Sequence, residues 1–293
     1  VTVDIEFVAP RLPTPPQGYD QQSFEQFNNV LRIYFNQLDN ALREVMAVQE
    51  PYTLQVSKGQ VAGATPLYKF ARNPDINSTE ETIWEQGGNY VFPTSAAVRY
   101  VSSSDANDTN GGTGANKVRV FGLDANYALI EEEVELAGQT QVATSLSYLR
   151  IYRAYVTLAG SGGTAAGTVY VADSGASAGV PTGNVYANLG TSNQTLLGVY
   201  TVPAGKTLYL DDVNFTAAIS QANANATIKF NIRDFGSNVF RTIVITELQS
   251  GTYIDKFEYP QPIYEKTDIE VRAVATSSNN PITVSWQGVL IDN

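Results

Sequence analysis

The chain contains no histidine and no cysteine. Without histidine it lacks the usual general base near neutral pH, the Ser/His/Asp triad and the commonest transition-metal ligand. Without cysteine there is no disulfide framework, thiolate nucleophile or zinc ribbon, a pattern that fits folding in a reducing cytoplasm. Charge is scarce as well: Asp, Glu, Lys and Arg make up 16% of the 293 residues, below the roughly 25% usual in globular proteins. The balance is acidic, 29 Asp and Glu against 18 Lys and Arg for a net charge of −11, so the summed field repels a phosphate backbone. No run approaches the roughly 20 consecutive apolar residues that span a bilayer. The opening VTVDIEFVAPRLPTPPQGYD has neither the basic region nor the apolar core of an export signal. These absences point away from an enzyme, a metal or cofactor site, a direct nucleic-acid binder and a membrane protein.

What is present is enough apolar matter for a core, 43% hydrophobic with 11% aromatic, spaced by Gly, Ser, Thr and Asn as in a loop-rich β protein. Pro10, Pro13, Pro15 and Pro16 break any helix and predict an extended arm over residues 1 to about 20. The pattern then changes. Phe24, Leu31, Leu38 and Val45 recur every seven residues, and Phe27, Tyr34 and Ala41 form a second seam. That spacing predicts an amphipathic helix over 23–48 with heptad a and d positions, ended by Pro51. Val30, Phe35 and Leu42 widen the stripe beyond a two-stranded seam and favour a trimer or docking on another protein. The alternative is a lone helix packed on its own β domain.

Beyond Pro51 the segments are short, apolar or alternating, and are bounded by turn residues. Strands are expected at 53–57, 97–102, 117–123, 129–136, 148–158, 168–172, 194–202, 207–215, 226–234, 239–248, 252–258, 268–275 and 282–290. The expected fold is mainly β: an N-terminal arm and one helix, then an antiparallel β-sandwich or jelly-roll-like region. The corresponding domains are 1–50 as anchor, 51–94 as a connecting region with short strands, and 95–293 as the β region. Stretches 102–116 and 159–167 read as Gly-, Ser- and Asn-rich surface connections. No internal repeat points to a solenoid or propeller.

Candidate chemistry is thin. Ala204-Gly205-Lys206-Thr207 imitates the end of a phosphate-binding loop, but Tyr200 stands where that motif needs glycine and a strand follows instead of a helix. It is expected to be a hairpin turn. Glu131, Glu132, Glu133 and Glu135 form the densest carboxylate run, the one place for the paired acids of glycoside hydrolysis. Alternation places Glu131, Glu133 and Glu135 on one face and Glu132 on the other, where an ion pair with Arg150 or Arg153 is expected. Asp105, Asn107 and Asp108 offer oxygens to calcium, against a plain turn-rich loop, and the spacing is not that of an EF-hand. Asn-X-Ser/Thr triplets at Asn77, Asn107, Asn193, Asn214 and Asn225 are what a chain so rich in these residues contains by chance. Tyr148, Tyr152 and Tyr155 read as a strand face or hydrophobic rim.

The stretch YDQQSFEQFNNVLRIYFNQLDNAL resembles the N-terminal helix of structural proteins from marine and cyanobacterial tailed phages, short-tailed ones above all. KGQVAGATPLYKFARNPDI, ETIWEQGG, KVRVFGLDANYALIEEEVELAGQTQVAT and YLRIYRAYVTLAGS look like a module of environmental phage virion proteins, and VPAGKTLYLDDVNF with FEYPQPIYEKTDIEVRA like their later β segments. The resemblance covers most of residues 17–172 and carries no catalytic motif. It implies a virion protein assembled in the host cytoplasm: a head-surface fibre, knob or decoration component, or a tail fibre or adhesin. The implied partners are other capsid or tail proteins and further copies of the chain, with a host-surface glycan as the alternative.

Overall fold

In a computed structural model, residue 18 and residues 20–48, 50–190, 192–219 and 221–293 are described, the side chains of 43–48 excepted. The expected N-terminal arm, with its prolines, lies outside the described residues apart from positions 18 and 20. The chain divides into two compact units, Val1–Val61 and Ala62–Asn293.

The first unit carries α1, Gln21–Val48. Asp20 starts it: its carboxylate accepts the Gln22 and Ser23 N–H groups at 3.2 Å and the Ser23 hydroxyl at 2.6 Å, while its carbonyl takes the first helical bond from Phe24. These are N-cap contacts, satisfying donors the helix leaves free. The Ser23 hydroxyl and the backbone N–H groups hold the Asp20 carboxyl below its ordinary value. A second helix, α2, spans Tyr52–Ser57, where a strand was expected at 53–57. Pro51 decides it: its carbonyl accepts the N–H groups of Leu54 and Gln55, and a five-residue stretch with two β-branched residues is too short for alternation to overrule that turn. Lys58 pairs with Glu50 at 2.5 Å across α2, and left-handed Gly59 follows.

Among its described residues the second unit consists of strands and turns. In chain order they are β1 Ala64–Ile76, β2 Glu81–Thr82, β3 Ala97–Ser103, β4 Ala115–Leu123, β5 Leu129–Glu135, β6 Val142–Tyr148, β7 Arg150–Ala159, β8 Val169–Ala172 and β9 Ala176–Ser177. Then come β10 Val180–Pro181, β11 Val185–Leu189, β12 Val199–Thr201, β13 Lys206–Ala217, β14 Ala226–Arg233, β15 Arg241–Leu248, β16 Gly251–Ile263, β17 Asp268–Ala275 and β18 Asn280–Asp292. A sheet ordered β1-β18-β13-β16 faces one ordered β12-β17-β14-β15, with β2 beside β17. Between them lie Leu208, Phe215, Ile228, Phe230, Val271 and Trp286. β18 shows why the pair forms: its burial alternates along the strand, so one side chain in two enters the core. Phe230 meets the Trp286 ring edge-on, with centroids 5.4 Å apart, a favoured aromatic arrangement.

β3 to β11 are inserted between β2 and β12 and build a second layered body. Sheets β11-β8-β3-β6 and β5-β4-β7 share a core of Val118, Val120, Tyr148, Ile151, Val171 and Leu189. The fold is therefore mainly β with antiparallel sheets packed as sandwiches. Three of these expectations need correction. The strand expected at 194–202 is confined to β12, Val199–Thr201. Residues 148–158 are not one strand, because Tyr148 closes β6 and Arg150 opens β7. The turn at Pro203 to Lys206, left-handed at Gly205, is not a hairpin: β12 and β13 belong to opposite sheets, so it carries the chain across the sandwich.

A buried ionic cluster joins the two bodies of this unit. Arg150 of β7 donates to both carboxylate oxygens of Asp268 of β17, at 2.9 and 3.0 Å. Arg233 adds bonds of 3.2 and 2.6 Å, and the Thr201 hydroxyl a bond of 2.6 Å. Both guanidinium groups lie over the Phe92 ring. Burial opposes charge on Arg150, and the Asp268 carboxylate outweighs it, so the guanidinium stays above its ordinary value.

Candidate functional site

The helix seam comes first. Phe27, Leu31, Tyr34, Leu38 and Ala41 are half-buried and line one face of α1, with Phe24 at its start, 58% exposed. The Val45 side chain lies outside the described residues. Flanking the seam, Phe35 and Leu42 are 58% and 51% exposed, and Ile33, on another side of the helix, is 55% exposed. No described side chain of α1 is buried. A helix of 28 residues, about 42 Å long at the usual rise, thus carries an apolar stripe along one face.

In the second unit an open groove of about 620 Å³ is lined by Phe121 of β4, by Tyr152, Arg153 and Tyr155 of β7, and by residues 192–194. Cross-strand pairing brings the first four together: Phe121 sits opposite Arg153 on one side and Glu131 on the other. The Phe121 and Tyr155 rings stack with centroids 5.3 Å apart at 30°, and the Arg153 guanidinium stands 5.4 Å from the Tyr155 ring. The third wall is stitched to β7 by Val156 N–H to the Asn193 carbonyl at 2.8 Å and Thr195 N–H to the Ala154 carbonyl at 2.9 Å. Asn193 adopts the left-handed conformation, and its side-chain oxygen accepts from the Thr164 hydroxyl and Ala165 N–H, both at 2.8 Å. Beside the groove, buried Lys69 donates to the Tyr152 carbonyl at 2.6 Å. Burial, helped by the charge of Arg153, lowers the Lys69 amine to about 7. Burial pushes the Tyr152 phenol up to about 12, so it remains a neutral hydrogen-bonding group.

The other sequence candidates resolve differently. Glu132 does not pair with Arg150 or Arg153; it accepts the Ser145 and Leu146 N–H groups at 2.8 and 3.1 Å and so ties β5 to β6. Arg150 is taken by Asp268 and Arg153 by the groove. Glu131, Glu133 and Glu135 do share the outer face. Glu133 accepts from Thr157 at 2.9 Å and pairs with Lys117 at 3.1 Å, which holds its carboxyl below the ordinary value. Of the three tyrosines, Tyr148 is fully buried, Tyr152 packs edge-on against Tyr200 at 5.2 Å, and Tyr155 reaches the groove. Phe121 and Gln194 were not singled out by any sequence motif, and Asn193 only as the start of an Asn-X-Ser/Thr triplet expected by chance.

Asp108 turns out to be a structural hub. It is fully buried, with one oxygen accepting Ala115 and Ala166 N–H groups at 2.7 Å and the other the Ser103 hydroxyl at 2.5 Å and Gly167 N–H at 2.9 Å. It therefore pins the 102–116 loop to the 159–167 stretch. Gly114 leaves room for it, since a Cβ there would lie 2.1 Å from the carboxylate. Asp105 faces its own loop, accepting from the Asn107 backbone and side chain at 2.8 and 2.9 Å. Among the described residues no three acidic side chains gather as metal ligands. Asp108→Ala strands these donors in the interior and is expected to cost at least about 3 kcal/mol, read as a fall in the urea midpoint; a midpoint equal to the parent's would refute the hub.

No family model matches the chain, and no curated protein does. Among solved structures, the infectious bursal disease virus Gx strain is 10% identical, with 78% of this chain and 76% of that chain covered and a TM-score of 0.20. T=1 particles derived from infectious bursal virus are 11% identical over 78% and 70%, also at 0.20. The Gt strain is 10% identical over 83% and 82%, at 0.14. At TM-scores this low, neither fold nor function passes from those particles to this chain.

Proposed function

We propose that the chain is a non-enzymatic structural component of a virus particle, a head-surface fibre, knob or decoration protein of a short-tailed phage, assembled through α1. The observation that carries the assembly role is the stripe of α1, with Phe24, Phe27, Leu31, Tyr34, Leu38 and Ala41 as its seam, which the sequence period extends to Val45. An isolated helix is marginal in water, and burying each large apolar side chain stabilises it by roughly 1.5–3 kcal/mol. Packing three copies supplies that burial. The particle itself is the reading of the sequence resemblance. A chain without histidine or cysteine, whose outer carboxylates Glu131 and Glu133 are tied to Arg119, Lys117 and Thr157, suits support better than turnover.

Light scattering gives the absolute mass of the full chain and of a Leu31→Glu, Leu38→Glu variant. A trimer that becomes a monomer in the variant supports the assembly role; equal masses for both would contradict it. A second reading is favoured by the groove: a fibre or adhesin that also touches a host glycan, with Phe121 and Tyr155 as its platform.

A further inference from the structure

We infer that the groove on β4 and β7 takes a sugar bearing a single carboxylate, a terminal hexuronate, with the ring against Phe121 and Tyr155 and the acid on Arg153. This rests on the glycan reading above and names its ligand class. Phe121 and Tyr155, stacked on each other, leave apolar ring surface at the groove for the C–H face of a pyranose, and the few polar groups around such a surface set orientation. The Asn193 side-chain nitrogen and the amide of Gln194 make no hydrogen bond to a described residue and remain open to sugar hydroxyls.

The charge pattern selects the acid. Arg153 lines the groove over the Tyr155 ring and forms no ion pair with any described carboxylate. One guanidinium thus stands at the groove without a counter-ion among the described residues, and its fork matches a carboxylate. Glu131, opposite Phe121, is held by Arg119 at 3.8 Å. Its charge and the net −11 of the chain oppose a polyanion, so one acidic residue fits and a polyuronate does not.

Calorimetric titration of the full chain tests this with three probes: a disaccharide of one hexuronate and one neutral hexose, the same disaccharide with its carboxylate reduced to the alcohol, and acetate. The acidic disaccharide is expected to bind, and the reduced one to bind at least about tenfold more weakly, the scale of one charge-assisted hydrogen bond. Arg153→Gln should erase that difference and Tyr155→Ala should abolish binding of both. Equal affinity for the two sugars would overturn the acid selectivity and leave the glycan reading standing. Acetate binding as tightly as the acidic disaccharide would overturn the sugar platform. Binding of no sugar, or binding untouched by both substitutions, would overturn the inference and the glycan reading at this groove together.

Discussion

Asp268→Ala is expected to destabilise the β unit by about 3–5 kcal/mol, the usual consequence of removing one partner from a buried ion pair. Arg150 and Asp268 side chains are 7% and 6% exposed, so the alanine variant leaves the Arg150 charge without its counter-ion and Arg233 with less than it had. The loss falls where β7 meets β17, and near the rings of Phe92 and Phe240 that flank the guanidinium groups. Asp268→Asn keeps the shape and one acceptor and should cost less. Chemical denaturation of the two variants beside the parent measures the difference. An alanine variant within about 1 kcal/mol of the parent, the size of an exposed ion pair, would show that the cluster does not hold the two bodies together.

Lys69→Met is expected to raise stability below neutral pH, a direction opposite to most core substitutions. In the unfolded chain this amine titrates near 10.5, and in the folded chain near 7. Between those values the unfolded chain holds a proton that the folded chain has released, so stability rises with pH across that window and the penalty is complete below about 7. A tenfold change in proton affinity is worth about 1.4 kcal/mol, so the penalty is on the order of 3–5 kcal/mol. Methionine removes the charge and keeps the volume, at the expense of the bond to the Tyr152 carbonyl. Unfolding free energies at pH 6 and pH 9 should differ between parent and variant far more at the lower pH. A difference independent of pH would mean that Lys69 is charged in the fold without penalty.

How far the sequence discloses this molecule depends on the element. β17 was readable to the residue, 268–275, because DIEVRAVA is a continuous buried strand bounded by turn signals. β13, β14 and β18 follow closely for similar reasons. β1 was hidden because Pro66 and Pro74 look like breakers; it tolerates them as the edge strand of its sheet, and its partner is the last strand in the chain. No local pattern encodes that pairing. The period placed the start of α1 at Ser23, two residues inside its actual start behind the Asp20 cap, whereas Pro51 was read only as the end of one helix and in fact begins another.

The sites divide the same way. The seam of α1 is a period along one segment and is legible as such. The groove is assembled from residues 121, 152–155 and 192–194, brought together by pairing across strands, and periodicity within any one segment cannot reveal it. Asp108 was read as a surface oxygen because its neighbours are Asn, Thr and Gly. Its burial comes from a stretch more than fifty positions later, where Ala166 and Gly167 supply N–H groups. Glu132 was expected to seek an arginine and instead found two backbone donors in the adjoining strand.

Amide hydrogen exchange across residues 24–42 of the full chain, recorded at low and at high protein concentration, tests the assembly role of α1 most directly. A helix that is completed by other copies should gain protection as concentration rises, since an isolated one opens readily. Protection that is strong and equal at both concentrations would place the stripe against the chain's own β unit and contradict assembly through this helix.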